Sequence, residues 1–211
     1  VTLRLLLLGP PRLERNGQSL EPDTRKATAL LAYLAITGRF HTRDTLAALL
    51  WPEMDDHHAR AALRRTLSSL KSAVGELPLY VSRDGLGLNR DEVWCDATEF
   101  EAAVAEAARH DPAERCDGCA ERLAAVVALY RDAFLSGFSL RDSAEFDDWQ
   151  LATTEHLRRS LTTALAWLVR AHSAAGEPDR AIDFARRWLA VDPLREEAHR
   201  WLMHLHAATG A

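Results

Sequence analysis

The spacing of apolar residues divides the chain before any other feature does. Leu3, Leu5 and Leu7 recur at period two, as in a half-buried strand, and Gly9-Pro10-Pro11 breaks that strand. Arg12–Arg15 and Gln18–Leu20 then flank Asn16-Gly17, the pair that best tolerates the two positive φ angles of a type I′ hairpin turn. From Arg25 the period lengthens. Ala27, Leu30, Leu31, Leu34 and Ala35 fit one face of a helix that Gly38 closes. Thr42 predicts the N-cap of a second helix carrying Leu46, Leu49 and Leu50, which ends at Trp51-Pro52 because a residue before proline disfavours helical geometry. Asp55 or Asp56 caps a third, and Leu79–Ser82 and Leu86–Asn89 bracket a second hairpin at Asp84-Gly85.

The third helix carries the most information. Leu63, Leu67, Leu70 and Val74 form a narrow apolar stripe predicted to dock on the core, with Leu67 inside it. At about 100° per residue, Ala61, Arg65, Ser68 and Ser72 lie opposite that stripe. His58 and Ser69 stand on one shoulder, Arg64 and Lys71 on the other, and no acidic residue occurs between Arg60 and Lys71. A face of this kind suits a DNA major groove, where Arg and Lys neutralise phosphates or grip guanine and small residues permit close approach. An ordinary solvated basic face is the plainer alternative. Short strands, three helices and a terminal hairpin, in that order, are those of a winged helix-turn-helix, whose third helix reads the groove.

The second half has helical period almost throughout. Asp96-Ala-Thr-Glu99 is a capping-box pattern opening a helix with Phe100 and Val104 inward, and Val93-Trp94 is placed to pack on it as a staple. Leu123, Val126, Val127 and Tyr130 make another helix, and Phe134, Leu135 and Phe138 an apolar loop around Gly137. A run of about nine turns follows from Phe146 to Gly176 without glycine or proline inside it. Gly176-Glu-Pro178-Asp179 turns into a helix with Ala181, Ala185, Trp188 and Leu189, and a final helix carries Ala198, Trp201, Leu202 and Leu205. Small residues where helices cross, a glycine at the turn and Pro193 after the pair fit a tetratricopeptide-like unit over residues 162 to 195. The expected fold is therefore α+β but mostly α: a winged helix with a small β-sheet over 1–95, then an all-α TPR-like domain over 96–211.

Charge sharpens this division. The net charge of −5 conceals 13 Lys+Arg against 9 Asp+Glu in residues 1–90 and 13 against 22 in residues 91–211. A mildly basic half precedes an acidic half that should stay off DNA. The leucine run at the start is too short for a membrane span or a signal segment, and three cysteines do not make a disulfide framework, so the expected location is the cytoplasm. Cys116-Asp-Gly-Cys119 has metal-ligand spacing with His110 six residues before it, but three ligands with only a remote fourth in Cys95 favour free thiols. His57-His58, His199, His204 and His206 do not converge on one face. No phosphate loop, nucleophile elbow or acid pair is present, so neither a catalytic, cofactor nor metal site is expected.

The stretch from Arg25 to Gly75 resembles the DNA-binding domain of the OmpR/PhoB class, and in particular the Streptomyces antibiotic regulatory protein (SARP) family. Its recognition-helix pattern A-R-x-x-L-R-x-x-L-x-x-L-[KR] is matched by Ala59, Arg60, Leu63, Arg64, Leu67, Leu70 and Lys71. Residues 127 to 159 resemble the bacterial transcriptional activator domain that follows the winged helix in SARP and AfsR-type regulators. The resemblance implies a transcriptional activator, not an enzyme, that binds repeated promoter sites in double-stranded DNA and contacts RNA polymerase; the helical half is expected to serve self-association, as a homodimer on repeated sites, or that polymerase contact. DNA contacts are expected from Arg60, Arg64, Arg65, Ser68, Ser69, Lys71 and Ser72, and from Arg83 on the wing, where an arginine can enter a minor groove or sit on a phosphate. A protein-binding adaptor that uses the TPR-like groove is the alternative.

Overall fold

The computed structural model describes residues 3–75, 78–113 and 118–209. Internal contacts divide the chain into two units, one of residues 1–98 and 131–154, the other of residues 99–130 and 155–211. Residues 131–154, which lie within the span expected for the second domain, group by contacts with the first unit.

In the first unit, β1 (Leu3–Leu6), β2 (Arg12–Arg15) and β3 (Gln18–Leu20) form an antiparallel meander, and β7 (Val93–Cys95) joins the free side of β1 in parallel. Asn16 and Gly17 have φ of 53° and 77°, as the two-residue turn requires. Leu3 and Leu5 are buried and Arg4 between them is exposed, so the period-two pattern is realised. The parallel partner of β1 carries no local signal, and Val93-Trp94 act as strand rather than as a staple.

Three helices follow: α1 (Arg25–Thr37), α2 (Arg43–Leu50) and α3 (Asp56–Val74). Each begins on a side-chain cap, from Thr24, Thr42 and Asp55, and α1 ends at Gly38 with φ 59°. The buried residues of α3 are Ala59, Ala62, Leu63, Thr66, Leu70 and Val74, and Leu67 is only half-buried. The docked face is therefore turned about 40° toward Ala62 and Thr66 from the all-aliphatic stripe. Two of the buried residues are alanines and one is a threonine, small side chains that an apolarity count weighted to large ones does not register, and α3 packs on α2.

The wing is a three-stranded sheet of β4 (His41–Thr42), β6 (Gly85–Leu88) and β5 (Leu79–Val81), with β6 central. Asp84-Gly85 is not a turn with positive φ at both positions, as the sequence predicted. Gly85 begins β6, opposite Thr42, and an added Cβ would run into the His41 carbonyl oxygen. Glycine is needed there because β4 approaches closely.

Asp96, at the first position of α4 (Asp96–Ala107), is fully buried. Instead of making a capping box, its carboxylate accepts hydrogen bonds from Leu7 N (2.7 Å) and Leu8 N (3.1 Å), with Arg131 Nη2 at 3.6 Å. Residues 131–136 then line the same stretch: Leu135 N donates to Leu7 O at 2.9 Å and Arg131 N to Leu8 O at 3.2 Å. Phe134 and Phe146 are buried beside Trp149, which also meets Tyr33 of α1.

The second unit comprises α4 from Glu99 onward, α5 (Cys119–Ala128), the part of α6 (Ala144–Ala174) from Glu155 onward, α7 (Pro178–Val191) and α8 (Glu196–Thr209). Gly176 (φ 74°) turns the chain, Pro178 opens α7, and Ala181, Ala185 and Trp188 are buried along it, as the repeat pattern predicted. His172 is buried, with Nδ1 2.7 Å from Glu177 Oε2 and its ring stacked on Phe184. Arg187 donates to Val127 O (2.7 Å) and Tyr130 O (3.0 Å), and burial lowers its pKa. Cys119 is disulfide-bonded, which departs from the expectation of free thiols; Cys116 lies outside the described residues.

Two outcomes are expected. Leu63→Ala should destabilise the first unit by about 2–5 kcal/mol, and Leu67→Ala by clearly less, in denaturant titrations. Burial raises the Asp96 pKa against the opposing pull of its two N–H donors and Arg131. Its contribution to stability is therefore greatest at low pH and falls as pH rises from the ordinary carboxylate range through the raised value. A carboxyl carbon NMR titration should place Asp96 above Asp132, whose pKa the Ser136 hydroxyl and Ala133 N–H lower.

Candidate nucleic-acid interface

The face of α3 away from its seam is built by the cap as much as by the seam. Asp55 Oδ1 accepts from His57 N and His58 N, both at 3.1 Å, while Oδ2 lies 2.6 Å from His58 Nδ1. The His58 ring, followed by the amides, lowers the Asp55 pKa. The helix thus starts at a fixed residue and with a fixed rotation.

Arg64, Arg65, Ser68, Lys71 and Ser72 are all exposed. Among the described residues, Arg64, Arg65 and Lys71 have no ion-pair partner, so three full positive charges face outward from one helix. Ser72 Oγ bonds back to Ser68 O at 3.1 Å, which keeps that strip low.

The structure treats two other expected contacts differently. Ser69 is half-buried and its hydroxyl donates to Asp23 Oδ2 at 2.5 Å, which turns it from the outer face. Arg60 is exposed but held by Asp44 on α2, through Nε to Oδ1 and through Nη2 to Oδ2 at 2.7 Å. The hydrogen bonds to Asp44 raise the Arg60 pKa. Sequence reading missed both aspartates as partners. Asp44 has a local reason to stand in the first turn of α2, and nothing local announces a bond to a residue sixteen positions on.

Arg83 is exposed at the tip of the wing. The tip itself is anchored. Ser82 Oγ accepts from Asp84 N (3.1 Å) and Gly85 N (3.2 Å), Arg43 N donates to Asp84 O (3.0 Å) and Arg43 Nη2 to Ser82 O (3.2 Å). Arg43 thus serves as the wing's anchor. Asp55, His57 and His58 bring one donor atom each within 4.8 Å of one another, the group among the described residues that could hold a metal ion, and all three are exposed.

A capped basic helix on a three-helix core with a β wing defines a winged helix-turn-helix, here followed by helical hairpins. The profile of the bacterial transcriptional activator domain matches residues 95–211, more than half of the chain, and the chain belongs to that family. The expected SARP/AfsR-type order, winged helix first and activator domain second, is therefore present. The fold also matches the solved structure of Mycobacterium tuberculosis EmbR in complex with a low affinity phosphopeptide, at TM-score 0.61 and 20% identity over 98% of this chain. The chain spans 65% of the length of that one. No curated protein matches the sequence.

Gly85→Ala should lower the melting temperature and remove the amide protection of the β4–β6 pair in hydrogen exchange, because the new methyl group displaces the His41 backbone.

Proposed function

We propose that this chain is a sequence-specific DNA-binding transcriptional activator of the cytoplasm. On this reading α3 enters the major groove of double-stranded promoter DNA, Arg83 reaches the flanking backbone or minor groove, and the helical unit serves self-association or contact with RNA polymerase. The observation that carries the proposal is the outer face of α3, where Arg64, Arg65 and Lys71 are exposed without carboxylate partners among the described residues. Its occurrence in a family of transcriptional activators, not of enzymes, supports the same reading. Among the described residues no helix is long and apolar enough to cross a membrane.

The adaptor reading has one feature of its own: an open cleft of about 390 Å³ in the second unit, lined by Arg170, Glu197, Arg200, Trp201 and His204. Duplex binding separates the two readings. The Arg65→Ala variant should bind duplex DNA more weakly than wild type, and its plot of log affinity against log salt should be shallower by about one unit, as the loss of one phosphate contact requires. Equal affinities and equal slopes would sink the proposal.

A further inference from the structure

The inference concerns Arg60 and Asp44, and it rests on the DNA-binding reading above. Asp44 lies in the first turn of α2 and Arg60 is the fifth residue of α3, at the helix end that faces base edges in helix-turn-helix proteins. Their bond is a two-point one: Nε and Nη2 of the guanidinium each meet one carboxylate oxygen, so the plane of the group is set and not merely its position. The guanidinium has five N–H donors. Asp44 takes two, and among the described residues nothing bonds to the far edge, where Nη1 and the second hydrogen of Nη2 form a pair of parallel donors.

The side chains of Arg60 and Asp44 are 49% and 63% exposed, and an ion pair so open to water adds little to stability. Its consequence is orientation and charge. A phosphate approaching Arg60 would meet the negative Asp44 beside it. A guanine edge is neutral and offers O6 and N7 to two parallel donors. Among the described residues no carboxylate pairs with Arg64, Arg65 or Lys71, and these suit phosphates.

We infer that Asp44 is a positioning residue that presents Arg60 to the major-groove edge of a guanine and turns it away from the phosphate backbone. Arg60 then reads sequence, while the unpaired cations of α3 supply affinity.

The test uses the whole chain and a randomised duplex pool, from which bound sequences are enriched and read. Affinities are then measured for an enriched duplex, for the same duplex with 7-deazaguanine or adenine at each guanine in turn, and for random-sequence duplex. Wild type should prefer guanine at one position by about tenfold over either replacement. Asp44→Asn, Asp44→Ala and Arg60→Lys should each lose that preference, and the two Asp44 variants should bind random duplex at least as tightly as wild type, since an anion has left the face. Circular dichroism melting should show all three folded.

Retention of the guanine preference in both Asp44 variants would overturn the inference. So would an Arg60→Ala variant that weakens every duplex alike and makes the salt slope shallower by about one, the behaviour of a phosphate contact. Failure of the underlying reading looks different: wild type would enrich no sequence, and Arg65→Ala would leave random-duplex affinity unchanged, which overturns both.

Discussion

The seam of α3 is the constraint on which the rest depends. A helix of this length presents every side of itself, and what it offers a partner is decided by the side it buries. Ala59, Ala62, Leu63, Thr66, Leu70 and Val74 make that choice, with two alanines admitting the neighbouring helix and the larger aliphatics filling the space below. Once those six are inside, Arg64, Arg65 and Ser68 have nowhere to go but outward. The shift of about 40° from the purely aliphatic stripe leaves Leu67 at the margin and moves Arg64 nearer the crest. Basic residues on a helix are common; basic residues that the core obliges to share one exposed face are a narrower finding.

Carboxylates from elsewhere in the chain then edit that face. Asp55 caps the helix itself and fixes its start, but Asp23, before α1, takes Ser69 and Asp44 of α2 takes Arg60, each from a separate part of the chain. A stretch without acids in the sequence is thus not a face without acids in space. The result is differentiated: three cations without carboxylate partners among the described residues, and one guanidinium whose orientation is set by another residue. Uniform positive charge attracts any phosphate backbone, whereas a mixture of free and held arginines allows discrimination as well as attraction.

What the sequence made legible was what is decided locally. The caps at Thr42 and Asp55, the stop at Gly38 and the Asn16-Gly17 turn each depend on a few consecutive residues, and the structure has all of them. So were the outward positions of Arg64, Arg65, Ser68, Lys71 and Ser72, because helical periodicity is itself local. What escaped was set by distant partners. Gly85 looked like a turn glycine and is a glycine of close approach to β4; Asp96 looked like a cap and bonds to amides at Leu7 and Leu8; β7 gave no hint that it would lie beside β1. Gly85 and Asp96 were read correctly as special residues, and in all three cases the reason lay on a part of the chain that spacing rules do not reach.

The same separation of local from distant accounts for the division of the chain. The family match begins at residue 95, yet residues 131–154 pack with the winged helix, and the physical reasons are particular. Asp96 needs both the amides that follow β1 and the guanidinium of Arg131, since a buried carboxylate without them would be unsatisfied. Leu7 O accepts from Leu135 N, Ser143 Oγ donates to Leu49 O at 2.5 Å, and Lys26 meets Asp142 at 2.6 Å. Phe134 and Phe146 fill the apolar space between these bonds, beside Trp149 and Tyr33. The backs of α1 and α2 are therefore not free surface, and the winged helix completes its core only with a segment that sequence comparison assigns to the domain after it. Family boundary and packing boundary overlap without coinciding, because one follows resemblance along the chain and the other follows which polar groups and apolar faces must be covered.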